Sequence, residues 1–184
     1  MATSLPSDAI PADAAAQSLH DLCARLLAGP SATAVLEAWC RERGLSTRTD
    51  LVAEVLPGPD TPLSPVQRER LELPRGAVVR YRRVRLICGR HVLSEAENWY
   101  VPGRLTPAMN HLLETSDTPF GRVVHPLGPA RRNLDLRMLA GAEAPAHRAP
   151  NDPLFTVAAL LLRADGLPLC EVSETYTAAV LARG

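Results

Sequence analysis

Twice in this sequence, two long extended segments are joined by a short glycine-bearing turn, and no other feature narrows the possible fold as much. Ala77–Cys88 and Val92–Val101 flank Gly89-Arg90-His91, while Leu154–Arg163 and Leu169–Leu181 flank Ala164-Asp165-Gly166. Strands connected so tightly run antiparallel. A chain with two such hairpins is not a parallel α/β protein, and each hairpin needs further strands and helices against its apolar face to be stable.

The remaining segments supply those partners. From Asp13 to Leu27 the apolar residues Ala16, Leu19, Leu22, Cys23, Leu26 and Leu27 recur every three or four positions, which predicts a helix ended by Gly29-Pro30. Ser31 is placed to cap a second helix that runs to Arg43 and stops at Gly44. A short strand over Leu51–Leu56 precedes the proline-rich surface loop Pro57–Pro65. Thr106–Glu114, with Pro107 in its first turn, predicts a short helix, and Phe120–Val124 a helical turn. Arg131–Leu139 alternates like a strand, and a polar connection from Gly141 to Pro153 leads to the last hairpin. The expected class is therefore α+β: a single antiparallel sheet of about six strands with helices on one face. It is expected to form one domain over residues 1–184, whose first 12 residues make a flexible tail.

Charge limits the chemistry. All 20 basic residues among the 184 are arginine, so Schiff-base, pyridoxal-phosphate and phosphate-loop lysine mechanisms are excluded. Twenty acidic residues balance them, and a net charge of zero speaks against a nucleic-acid binder. The longest apolar run, Val157–Leu162, is far short of the roughly 20 residues of a membrane span. Met1–Gln17 has neither a basic cluster nor a continuous apolar stretch, so the chain is expected in the cytoplasm. Cys23, Cys40, Cys88 and Cys170 are widely spaced without ligand-spaced histidines, so they are expected to be buried thiols, with no metal site.

Alternation within strands singles out charged residues. In the last strand Glu174 shares its parity with Cys170, Val172, Tyr176, Ala178 and Val180. Arg132 shares its parity with Leu134, Leu136 and Met138, whereas Arg83 lies in a strand whose two parities are both mixed. A buried carboxylate has to be paired, hydrogen-bonded or neutralised. Two arrangements satisfy it: an Arg–Glu pair that fixes strand register, or a small cavity in which arginine receives a ligand carboxylate through its planar fork.

The sequence resembles the chorismate pyruvate-lyase family and the lyase-related effector domains fused to bacterial repressors. The resemblance starts at Gly29-Pro30-Ser31-Ala32-Thr33-Ala34-Val35-Leu36-Glu37 and continues at Arg83-Val84-Arg85-Leu86-Ile87-Cys88, the strand with the family's product-binding arginine. It runs on through Thr118-Pro119-Phe120-Gly121-Arg122, Arg132, Gly166-Leu167-Pro168-Leu169 and Ser173-Glu174-Thr175-Tyr176, the last holding the family's catalytic glutamate. Coverage extends from about Leu19 to Leu181. Ala32 replaces a family methionine, Phe120 a leucine, and Asn98 stands where a second arginine is expected.

The resemblance implies a buried pocket closed by helical flaps, and a cofactor-free carbon–oxygen lyase that eliminates pyruvate from chorismate to leave 4-hydroxybenzoate. Arg83 and Glu174 would be catalytic, and Ala32, Phe120, Asn98 and Arg132 would bind the substrate, an aromatic or enolpyruvyl carboxylate. The protein would be a monomer or weak dimer. Two other readings stay open: a divergent enzyme for another small carboxylate, and a non-catalytic ligand-binding domain like the repressor effector domains. Glu97 and His91 are expected to be solvated, and Thr33 to be a helix-start hydroxyl; Arg122 and His125 follow the turn with no role assigned.

Overall fold

A computed structural model describes residues 12–48 and 50–184. Most of the expected N-terminal tail lies outside the described residues. The first helix, α1 (Ala12–Ala28), turns Ala15, Leu19, Leu22 and Leu26 inward. Next comes α2 (Ala32–Arg43), whose cap forms as expected: the Ser31 hydroxyl accepts from the Ala34 N–H, and the Gly44 N–H returns to the Arg41 and Cys40 carbonyls. These two helices lie against a six-stranded antiparallel sheet.

The strands are β1 (Val52–Val55), β2 (Arg80–Cys88), β3 (His91–Tyr100), β4 (Ala130–Met138), β5 (Pro153–Leu162) and β6 (Pro168–Thr177). Their order is β1-β2-β3-β6-β5-β4, so the two hairpins stand side by side and join through β3 and β6. Gly89 (φ 58°) and Gly166 (φ 86°) turn the hairpins in the left-handed region that glycine enters without steric cost. The last strand ends at Thr177, earlier than its apolar pattern suggests. The Thr177 hydroxyl caps a 3-10 turn over Ala178–Leu181, which keeps those apolar residues buried without a strand.

One sheet face packs on α1, α2, α4 (Pro107–Thr115) and α5 (Phe120–Val124) around the main core. The opposite face is partly covered by α3 (Pro65–Arg70), a helix that starts at the last residue of the loop expected over Pro57–Pro65 and runs beyond it. Its signature is a capping box at Ser64 and Gln67 with Pro65 at the first helical position. Around it, Leu71, Trp99 and Leu160 form a second small core. Arg70 adds a two-bond fork onto Glu171, at 2.9 and 2.5 Å.

With no lysine available, guanidinium groups tie the segments together by collecting backbone carbonyls. Arg43 donates to the Leu181 and Ala182 carbonyls, and Arg104 to those of Leu71, Glu72 and Pro168. Arg25 and Arg43 both stack near Trp39, at 5.3 and 5.0 Å from its ring centre. A compact ammonium has no planar fork with which to do this.

Candidate functional site

The sheet register decides which charges meet. Val84, Ala96, Glu174 and Val157 form one row across β2, β3, β6 and β5 on the helix-covered face. Ala96 is small, and opposite it stand the first residues of α2 and α5. Between them lies a cavity of about 40 Å3, lined by Ser31, Ala32, Thr33, Val84, Leu86, Ala96, Asn98, Phe120, Gly121, Arg131, Leu161, Val172 and Glu174. Space of that size holds a few water molecules. Gly121 is required for the closeness of its roof: a Cβ there would sit 2.8 Å from Thr33 Oγ1 and 3.2 Å from Ser31 Oγ.

The floor carries a buried ion pair. Arg131 Nη2 donates to Glu174 Oε2 at 2.6 Å, with the two side chains only 3% and 6% exposed. Tyr176 donates to the same oxygen at 3.0 Å, and Arg131 Nε donates to Asn133 Oδ1 at 3.1 Å. Burial alone would lower the Arg131 pKa, but the charge of Glu174 and the hydrogen bond to it outweigh burial and hold the pKa above its ordinary value. Burial and the Glu174 charge push the Tyr176 phenol well up, so it stays a donor. Both hydrogen bonds to the carboxylate fall on Oε2, and among the described residues none reaches Oε1. A permanent cation, a carboxylate oxygen with spare capacity and two helix starts thus surround one apolar-walled space.

The structure brings together Glu174, Ala32, Phe120 and Asn98 of the residues singled out in the sequence, and it separates Arg83 and Arg132 from them. Arg83 lies on the other face of β2, half-exposed, where its Nη2 and Arg85 Nε each reach Glu95 at 2.9 Å. The inward neighbour is Arg82, which donates to the Ser116 and Thr118 carbonyls. Arg132 is exposed because the register of β4 slips between Asn133 and Asp135, so the parity of Leu136 does not carry back to it. Arg131 is the residue at the cavity, and the unbroken alternation predicted by the sequence concealed it.

The other residues have local explanations. Glu97 accepts from Tyr81 and Thr61 on the outer face, Arg122 pairs with Glu37 of α2, and His125 is exposed. Among the described residues no group of His, Cys, Asp or Glu stands ready to hold a metal ion, and no helix is long and apolar enough to cross a membrane.

An antiparallel six-stranded sheet with a small cavity under helices on one face is the chorismate lyase-like fold, as found in the effector domains of GntR-family regulators. PhnF from Mycobacterium smegmatis shares it at a TM-score of 0.56 and 13% identity, over 84% of this chain. This chain spans 66% of that PhnF chain and 88% of the isolated PhnF effector domain, which it matches at a TM-score of 0.55. The ligand-binding domain of a GntR-family transcriptional regulator from Bordetella bronchiseptica matches at a TM-score of 0.50 and 19% identity, over 69% of this chain and 84% of that one. In sequence, 39% identity over 177 residues links the chain to the uncharacterized protein y4mC of Sinorhizobium fredii, covering 89% of this chain and 75% of the relative. The chain belongs to the family of y4mC. No protein-family model matches it.

The expectation of a lyase is overturned. Solved structures that share the fold include PhnF, its isolated effector domain and the ligand-binding domain of a GntR-family regulator. Arg83, which was to hold the reacting carboxylates, is on the far side of the sheet from Glu174.

Proposed function

We propose that this chain is a non-catalytic, small-molecule-binding domain of the effector type, and that it takes a small organic carboxylate in the cavity at Arg131 and Glu174. The observation that carries this reading is the buried Arg131–Glu174 pair on the wall of an otherwise apolar space. Arg131 and the backbone N–H groups at the starts of α2 and α5 suit the carboxylate, and Glu174 Oε1 suits a hydroxyl or amine on the ligand. Small-molecule pockets usually measure about 300–1,000 Å3. A cavity of about 40 Å3 therefore has to open, by α5 and the first turn of α2 moving off the sheet, before it holds such a ligand. That movement is the natural output of an effector domain, and DNA binding in a regulator of this kind would be the task of a separate domain.

The test is a calorimetric screen of small aromatic and aliphatic carboxylates, followed by mass spectrometry of the recovered compound. At least one should bind with one-to-one stoichiometry, weaken about tenfold or more in Glu174→Gln and Arg131→Gln, a loss of roughly 1.4 kcal/mol or more, and come back unchanged. Absence of carboxylate binding, or recovery of a converted product, would overturn the reading.

A further inference from the structure

Arg82 is the second buried guanidinium of the sheet, and it differs from Arg131 in having no carboxylate in ion-pair contact among the described residues; Asp117, between the two residues whose carbonyls it bonds, acts on it only through space. It is 5% exposed, its Nη1 and Nη2 donate only to the Thr118 and Ser116 carbonyls at 3.3 and 3.1 Å, and its buried Nε has no partner. Buried polar groups are nearly always satisfied, and a buried charge strongly favours a counter-charge. Arg43 and Arg104 also collect carbonyls, but neither is left with an orphaned buried nitrogen.

Arg82 lines a cleft of about 500 Å3 at the point where β1 has ended and β2 continues paired with β3 alone. This cleft shares no lining residue with the Arg131–Glu174 cavity. Its walls hold Tyr81, Tyr100, Arg80 and Arg83, with Glu114 bound to Arg80 and Asp60 exposed. Arg83 has an ionic partner on the outer face, Glu95, which it shares with Arg85. The charge left without an ionic partner is therefore positive and buried, beside room for a compact molecule and next to two phenol rings.

We propose that this cleft is a second ligand site, for a small oxyanion whose carboxylate or phosphoryl group takes the place of the missing counter-charge at Arg82. Arg80 stands at its mouth as the second cation, and exchanges Glu114 for the incoming anion. A planar guanidinium receives either oxyanion through parallel N–H bonds, so the chemistry at Arg82 is the same for both.

Calorimetry with inorganic phosphate and with benzoate separates the two, using the wild-type chain, the variants Arg82→Gln and Arg80→Gln, and as a charge control Arg163→Gln, at the β5–β6 turn and outside both sites. Binding of one or both anions is expected in the wild type. Affinity should fall tenfold or more in Arg82→Gln, fall severalfold in Arg80→Gln, and stay within twofold in Arg163→Gln. Preference for phosphate or for benzoate identifies the head group, and either preference supports the site. No binding of either anion, or unchanged binding in Arg82→Gln, would overturn it, as would an equal loss in Arg163→Gln. Should Arg82→Gln not fold, Arg80→Gln decides: unchanged affinity there also overturns the site.

Discussion

Arg131 on β4 reaches past β5 to Glu174 on β6, closing a 2.6 Å ion pair whose two side chains are almost wholly shielded from water. Removing one member strands the other charge in the core, which typically costs about 3–5 kcal/mol, whereas replacing both by apolar residues is often near neutral. Arg131→Leu and Glu174→Leu should each destabilise the chain by that amount, and the double variant should recover most of the loss. Urea denaturation of the three proteins measures this. Additive losses would mean the two side chains are stabilised by separate surroundings.

Arg82 and Arg83 are sequence neighbours on opposite faces of β2, and their truncation should differ accordingly. Arg83→Ala removes a half-exposed contact to Glu95, worth about 0–1 kcal/mol. Arg82→Ala leaves the Ser116 and Thr118 carbonyls without their donor, a loss of about 1–3 kcal/mol. Thermal unfolding should rank the two clearly, with ligand binding at the Arg131–Glu174 cavity retained in Arg83→Ala.

That contrast also marks how far the sequence could be read. The hairpins, the α1, α2, α4 and α5 helices, and the inward position of Glu174 follow from periodicity and turn residues, because β6 pairs on both sides without a slip near Glu174. In β2, arginines at 80, 82, 83 and 85 occupy both faces, so alternation does not say which points inward. In β4 the register slip between Asn133 and Asp135 reverses the parity, and the slip is set by pairing with β5 rather than by residue type. The Ser64-Pro65-Val66-Gln67 start of α3 was a usable local signal at the end of a stretch whose prolines suggested only a loop.

Gly121 presses α5 onto the start of α2, and a methyl group there would meet Thr33 Oγ1 at 2.8 Å. Gly121→Ala should destabilise by about 1–3 kcal/mol, as overpacking does. Thr33→Ala removes the hydroxyl that the new Cβ meets, so the double variant should regain part of the loss. Faster hydrogen exchange over Phe120–Val124 in Gly121→Ala, slowed again in the double variant, would report the same contact.

The four thiols should be silent in the folded chain. Burial pushes Cys23 up to about 11 and holds Cys40 and Cys170 well above the ordinary range, so little thiolate exists at pH 8. Cys40, Cys88 and Cys170 are in addition buried. A thiol-specific reagent at pH 8 should label almost nothing until denaturant is added, and then all four. Rapid labelling of the native protein would show that α1 or the sheet opens far more readily than its packing implies.

At the β5–β6 turn, Arg163 donates to both Asp165 oxygens, at 3.0 and 2.5 Å, and the Leu167 N–H adds a third bond. The Arg163 hydrogen bonds, then that from Leu167, hold the Asp165 carboxyl down at about 2, from an ordinary 3.8. A depressed carboxyl stabilises the fold above its unfolded value and loses that contribution as pH falls through its folded one, so the window here runs from 3.8 down to about 2. Carbon-detected NMR titration should give Asp165 a midpoint near 2 in the wild type, and Arg163→Gln should move it most of the way back towards 3.8. An unchanged midpoint in Arg163→Gln would assign the shift to the Leu167 amide instead.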